Sequence, residues 1–414
     1  MDIPSAYNSP ANSHPATPLA SQPGTTNPSP STSVSTSLVT KLGTPSHSLR
    51  RRVPASGLSD RTRRALDGIR SFLASKSCYD ILPESFRLIV LDNKLAITKS
   101  LQALVTNVVE LTTRVTSRLP GVVSAPLYDS TTQRFAGMFT LADVVHLIQY
   151  YYLTANEYDN VVAEVEAFQL GSLRKIEQAI DVPPPPTISV HPDQPLSDAC
   201  AALVRTHARR LPLVDKDDQT GKETIVSVLT QYRVLKFIAI NVSSNTLVSP
   251  SIGSLGIDRF FPLSTATMKT SVFDVVHIFS ERGISAVPIV DEDGIVLNMY
   301  ETVDIVDLVR QNAYQVLDST IEDAFNQRSP DFTGVMTCTP NDSLSSVLTY
   351  VRERRCHRFV IVEPEDGSLV GILSLSDMLR FLVGHENLKG MEVPGLGKFP
   401  FSLSLSLSLS LAGL

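Results

Sequence analysis

Four times along its 414 residues the chain repeats one short pattern, and no copy is long enough to bury a core of its own. The pattern is an apolar strand that closes on an acid. It reads Val123-Ser124-Ala125-Pro126-Leu127-Tyr128-Asp129 in the first copy and Arg210-Leu211-Pro212-Leu213-Val214-Asp215 in the second. The third is Ile284-Ser285-Ala286-Val287-Pro288-Ile289-Val290-Asp291 and the fourth His357-Arg358-Phe359-Val360-Ile361-Val362-Glu363. A stretch with amphipathic helical spacing precedes each strand, as in Leu196 to Thr206 and Val272 to Glu281. A second strand and a further helix follow. Four such units predict an α/β (α+β) fold in which strand–helix–strand–strand–helix repeats stack in pairs.

The repeats are expected at 70–155, 183–245, 252–314 and 329–386. Pro183-Pro184-Pro185-Pro186 makes a rigid spacer before the second unit, because proline cannot continue a helix. It closes a stretch of helical periodicity from Glu157 to Ala179, and the polar run Asn241 to Ser251 marks a boundary between two pairs of repeats. Residues 1–57 are rich in Ser, Thr and Pro, and cannot bury enough surface to offset the entropy of ordering, so they predict a disordered tail. The basic residues Arg50, Arg51, Arg52, Arg61, Arg63 and Arg64 read either as a solvated tail or as an import or docking signal. Residues 387–414 end in a Leu-Ser repeat, which reads as low-complexity sequence outside the fold.

Composition excludes several classes. A net charge of -6 argues against a general nucleic-acid binder, which needs a basic excess to neutralise phosphates. Cys78, Cys200, Cys338 and Cys356 have neither CxxC nor Cys/His ligand spacing, so reduced core thiols are expected, with no metal site. No apolar run approaches the roughly 18–20 residues that span a bilayer, and the N-terminus lacks a signal pattern. A soluble intracellular protein without membrane partners is expected. Catalytic motifs of the GxSxG, P-loop and HExxH kinds are absent, which predicts a chain that is not an enzyme and holds no cofactor.

What recurs instead is a polar cluster at the end of the second strand. It is Gly137-Met138-Phe139-Thr140-Leu141-Ala142-Asp143 in the first unit and Gly371-Ile372-Leu373-Ser374-Leu375-Ser376-Asp377 in the fourth. The third has Tyr300-Glu301-Thr302-Val303-Asp304, and the second Leu229-Thr230-Gln231-Tyr232-Arg233. An aspartate opening a helix can accept both hydroxyls of a ribose. Equally, it can do no more than stabilise its own helix. The shared phase of Asp143, Asp304 and Asp377 favours the ribose. Thr140, Ser374 and Ser376 offer hydroxyls beside a helix N-terminus, where anions are welcome. Arg209, Arg210, Arg328, His357 and Arg358 would bring cations to a shared centre for phosphate. Arg233 has no acceptor, so the second unit should hold no ribose.

These stretches resemble cystathionine-β-synthase (CBS) repeats paired into two Bateman modules. With Ser77 to Pro83, Val226 to Phe237, Gln327 to Gly334 and Cys356-His357-Arg358, they are similar over about residues 70–385 to the gamma subunits of AMP-activated protein kinase. The resemblance implies a disk of four repeats that binds AMP, ADP and ATP as regulatory ligands. It also implies a kinase catalytic (alpha) subunit and a scaffolding (beta) subunit as partners, and a cytoplasmic and nuclear location. It gives ribose to Asp143, Asp304 and Asp377, and phosphate to Arg210, Arg328, His357, Arg358, Ser374 and Ser376. Thr230 and Thr270 align with nucleotide-contacting positions, and Ser285 with Ala286 completes the candidate set. Val108 to Pro120 reads as an insertion into the family pattern. On this reading Asp304→Ala or Asp377→Ala weakens nucleotide binding with little loss of fold. A constitutive scaffold without nucleotide sensing is the rival.

Overall fold

The computed structural model describes residues 58–84, 88–103, 124–154, 168–242, 250–257, 263–305, 317–328, 334–354 and 356–384. The Ser/Thr/Pro-rich N-terminal segment, Val108 to Pro120 and the Leu-Ser tail lie outside them.

Each repeat is built on one hairpin. These are β2 (Ser124–Asp129) with β3 (Arg134–Thr140), β4 (Arg210–Lys216) with β5 (Glu223–Thr230), β6 (Ala286–Val290) with β7 (Val296–Glu301), and β9 (Arg358–Val362) with β10 (Leu369–Ser374). All four hairpins are antiparallel and share one register: Ser124 faces Thr140, Arg210 faces Thr230, Ala286 faces Glu301 and Arg358 faces Ser374. They also share one irregularity. The register slips after Leu127, Leu213, Ile289 and Ile361, at the same step of every repeat. A bulge repeated at one position is a built feature that sets the local twist.

The outer edge of each first hairpin strand pairs in parallel with a short segment. In the first repeat this is β1 (Leu91–Asp92), in the fourth β8 (Thr337–Cys338), and in the other two a single residue, Val190 against Leu213 and Ala266 against Ile289. In the second and third repeats proline blocks extension of this pairing towards the strand start. Pro212 and Pro288 accept from the Val190 and Ala266 N–H groups, but have no N–H to return to the neighbouring segment. Val360 stands at that position in the fourth repeat and donates its N–H to the Met336 carbonyl at 2.9 Å, which lengthens the pairing.

A helix follows each hairpin. α2 (Leu141–Thr154), α5 (Gln231–Asn241) and α10 (Leu375–Val383) begin where β3, β5 and β10 end, and residues 302–305 turn helical after β7. A preceding helix completes the second, third and fourth units: α4 (Leu196–Arg205), α7 (Val272–Arg282) and α9 (Leu344–Arg354), close to the spans read from spacing. Shorter helices are α3 (Leu173–Ala179), α6 (Ile252–Leu255) and α8 (Ile321–Asn326).

The apolar faces are shared in a way that chain order does not suggest. Leu203, Leu213, Leu235 and Ile238 of the second repeat form one core with Val347, Val351, Phe359, Met378 and Leu382 of the fourth. Phe139, Val145 and Ile148 of the first form another with Val275, Phe279, Val287 and Tyr300 of the third. Each fully buried aliphatic or aromatic side chain contributes about 1.5–3 kcal/mol. Sequence neighbours meet instead through their hairpins. The Glu223 N–H donates to the Gln133 carbonyl at 3.0 Å, and Phe135 donates back to the Glu223 carboxylate at 2.9 Å. Ile295 bridges to Ser368, and Ala286, Met299 and Val360 form a small apolar contact between repeats three and four.

Residues 60–82 add a feature the repeats do not predict. α1 (Asp60–Ala74) is capped by Ser59 and buries Ala65, Leu66, Ile69 and Leu73 in the core of repeats two and four. Arg61, Arg63 and Arg64 lie on its exposed face. The following segment continues along the second repeat, where Cys78 and Tyr79 donate to the Gln194 and Pro192 carbonyls, both at 2.9 Å.

Candidate functional site

Because the four hairpins share a register, the starts of their first strands carry equivalent residues, and those starts converge. Arg210 reaches from the second repeat to the first, its Nη1 donating to the Ser124 hydroxyl at 3.0 Å. Arg358 reaches from the fourth to the third. Its Nη2 donates to the Ser285 hydroxyl at 3.2 Å, and its Nε pairs with Glu301 at 2.9 Å. Arg209 and His357 complete the cluster, and His357 packs against Tyr232 with ring centres 5.7 Å apart.

The electrostatics confirm that these groups sense one another. Surrounding protein, then the positive charges of Arg358 and Arg210, lower Arg209 to about 10, while Glu301 pulls the other way. Burial lowers Arg210 to about 10. Burial, then Arg358, lowers His357 to about 4, with Arg210 and Arg209 acting in the same sense. Arg209 and His357 nevertheless keep open solvent-facing surface. At neutral pH both Arg209 and Arg210 stay protonated and His357 is neutral, so arginine supplies the positive charge.

The aspartates have a different setting. Asp143 Oδ2 accepts from the Thr140 N–H at 2.6 Å and the Thr140 hydroxyl at 2.7 Å. Asp377 accepts equally from Ser374, whose hydroxyl caps α10 in return, a reciprocal capping box. Asp304 Oδ2 accepts from the Glu301 N–H at 2.8 Å. Each carboxylate also meets an arginine: Asp143 with Arg174 at 3.3 Å, Asp304 with Arg328 at 2.6 Å and Asp377 with Arg380 at 3.3 Å. Burial raises Asp143 and Asp304 from the usual carboxylate range, and the partner arginines oppose it. All three carboxylates therefore have partners within the protein, each near the start of a helix and beside an arginine.

Arg328 does not join the strand starts. It follows α8, stacks over Phe325 at 4.3 Å, and donates to Asp304, Asn298 and the Met299 carbonyl. Arg174, which sequence reasoning missed, repeats this arrangement by donating to Asp143 and the Met138 carbonyl. In the second repeat Arg233 donates to the Val228 carbonyl, the equivalent position. The arginine that replaces aspartate there fills from within the place that Arg174 and Arg328 fill from outside.

The remaining candidates are spread. Thr230 caps α5 by accepting from the Arg233 N–H at 3.1 Å. Ser376 donates to Gln231 at 2.9 Å, tying the helices of repeats four and two. Thr270 closes a turn before α7 by accepting from the Thr267 N–H at 2.9 Å. Ala286 opens β6 beside Ser285. Glu301, absent from the sequence candidates, lies within the cluster. Its signal was a carboxylate at the phase where Thr140, Thr230 and Ser374 place hydroxyls. Among the described residues no group of His, Cys, Asp and Glu could hold a metal ion, and no helix is long and apolar enough to cross a membrane.

The comparisons agree with this architecture. The CBS domain family model matches residues 179–240, 260–310 and 331–384, the second to fourth repeats. The first lies outside the match yet shares their register and bulge. The chain is 41% identical over 319 residues to the 5'-AMP-activated protein kinase subunit gamma of Saccharomyces cerevisiae, covering 77% of this chain and 94% of that one. Its counterpart in Kluyveromyces lactis is 42% identical, with 78% and 93% covered. Human subunit gamma-3 is 31% identical over 75% of this chain and 60% of its own length. A crystal structure from Methanocaldococcus jannaschii, described as an archaeal homologue of g-AMPK, superposes with a TM-score of 0.57 at 13% identity, covering 74% of this chain and 99% of that one, and speaks for the fold alone. With repeats, register and relatives in accord, the chain belongs to the gamma subunits of AMP-activated protein kinase, non-catalytic regulatory subunits built from CBS repeats.

Proposed function

We propose that this regulatory subunit senses adenine nucleotides. AMP, ADP and ATP exchange with their phosphates at Arg209, Arg210 and Arg358, beside His357. The occupied state alters the activity of a catalytic (alpha) subunit held with a scaffolding (beta) subunit, in carbon-source signalling in the cytoplasm and nucleus. The observation that carries the reading is the convergence of three arginines from two repeats beside a single carboxylate, with Arg210 and Arg358 each reaching into a neighbouring repeat. Arginine suits phosphate because its planar fork donates paired, charge-assisted hydrogen bonds. Nucleotides that differ by one phosphate differ in these contacts, and a ligand shifts a kinase complex only through unequal affinity for its two states.

Calorimetry of the full chain with AMP, ADP and ATP tests this. Saturable binding that weakens when Arg209 and Arg358 are both replaced by Ala is expected. Heats no larger than dilution for all three nucleotides would sink it. One observation favours the rival reading of a constitutive scaffold: Asp143, Asp304 and Asp377 are already bonded internally. Under that reading the purified kinase complex carries no nucleotide and ignores added AMP.

A further inference from the structure

Glu301 sits where it opposes the ligand just proposed. It closes β7, at the repeat phase where Thr140, Thr230 and Ser374 end β3, β5 and β10. A hydroxyl can donate to a phosphate oxygen, whereas a carboxylate only accepts. Its Oε1 lies 2.9 Å from Arg358 Nε, and among the described residues it is the acid whose charge acts on both Arg209 and His357. Its own backbone N–H donates to Asp304, while its side chain is turned to Arg358. Both members of the ion pair are part-exposed, with side chains 17% and 29% accessible for Arg358 and Glu301.

From this we infer that Glu301 is a specificity-determining residue, a resident counter-anion that a phosphate must displace from Arg358 and that penalises ligands more as their charge grows. The inference rests on nucleotide binding at the arginine cluster. A carboxylate left facing the bound phosphates repels each added negative charge, so the penalty rises from AMP through ADP to ATP. The cluster then discriminates by charge, which three arginines alone would do in the opposite sense.

The test is Glu301→Gln, which keeps shape and removes the charge, with Glu301→Asp as the charge-retaining control. Calorimetry of the full chain with AMP, ADP and ATP at low and high salt gives the ratios. Glu301→Gln should tighten AMP by about threefold and ATP by about tenfold or more at low salt, with the gap narrowing as salt screens it. Glu301→Asp should stay near the parent ratios. Equal tightening of all three nucleotides, or no change, would overturn the role of Glu301 and leave nucleotide binding standing. Absence of binding in the unsubstituted chain, with none gained in Glu301→Gln, would overturn both.

Discussion

Arg328 meets both oxygens of Asp304, Nη2 to Oδ2 at 2.6 Å and Nε to Oδ1 at 3.1 Å, with both side chains less than a tenth exposed. A sheltered two-point pair of this kind gives Asp304 a structural role. Asp304→Ala strands a buried guanidinium, and a loss of about 3–5 kcal/mol in unfolding free energy is expected. That prediction departs from the expectation from sequence of little loss of fold. Replacing both partners, Asp304→Leu with Arg328→Met, should recover much of the loss, because a buried ion pair exchanged for apolar groups is often neutral. Urea titration of the three proteins decides between the two accounts.

Arg209 faces water and shares its charge with the cluster. Arg209→Ala should leave the unfolding free energy within about 0.5 kcal/mol of the parent. Affinity for AMP should fall by roughly tenfold, the usual scale for one charge-assisted contact. Paired calorimetry and thermal melts read both effects.

His357 gives the fold a pH dependence of definite sign. Its folded value is lowered to about 4 from an ordinary 6.5, first by burial and then by Arg358. Across that interval the unfolded chain binds a proton that the folded chain refuses, so stability rises with pH. The contribution is complete above about 6.5 and is lost as pH falls through about 4. Asp143 and Asp304, raised by burial, act in the opposite sense in the acid range. Subtracting a His357→Gln curve from the parent isolates the histidine, and the difference should slope upward between these limits. A flat difference would contradict the assignment.

The cysteines should be silent in the folded protein. Cys78, Cys200, Cys338 and Cys356 are all buried, and none forms a disulfide. Burial pushes Cys78 up to about 12 and Cys356 to about 11, far from the thiolate range needed for attack. A chromogenic disulfide reagent at neutral pH is expected to titrate no thiol natively and all four in denaturant.

Much of this was legible in the chain because repetition supplies its own control. One Pro126-Leu127-Tyr128-Asp129 says little, whereas its return at Pro212 and Pro288 marks a repeated strand with a second strand after it. The cross-strand neighbours of Arg210 and Arg358 follow from the same phase. Other features had no local signature. Ser-x-x-Asp reads identically whether the carboxylate caps a helix or holds a sugar, so Asp377 was ambiguous from sequence. Arg174 lies 31 positions from Asp143, and no spacing rule links them. Arg328 was placed with the cluster by its nearness to a strand start and by the family resemblance, and its position after α8 carries it to Asp304. α1 was hidden because Arg61, Arg63 and Arg64 made its start resemble the tail, while Ala65, Leu66, Ile69 and Leu73 carried the helical spacing.

The interleaving of apolar cores has a consequence for dissecting the molecule. Repeats one and two are consecutive, yet each finishes its interior with a unit from the other end of the chain. A fragment cut near residue 250 would present two raw oily faces at once, and so would its complement. Neither piece should be a monomeric domain in isolation. Supplied together they should find each other, and the intact polypeptide must wait for its last hairpin before its first repeats are sealed.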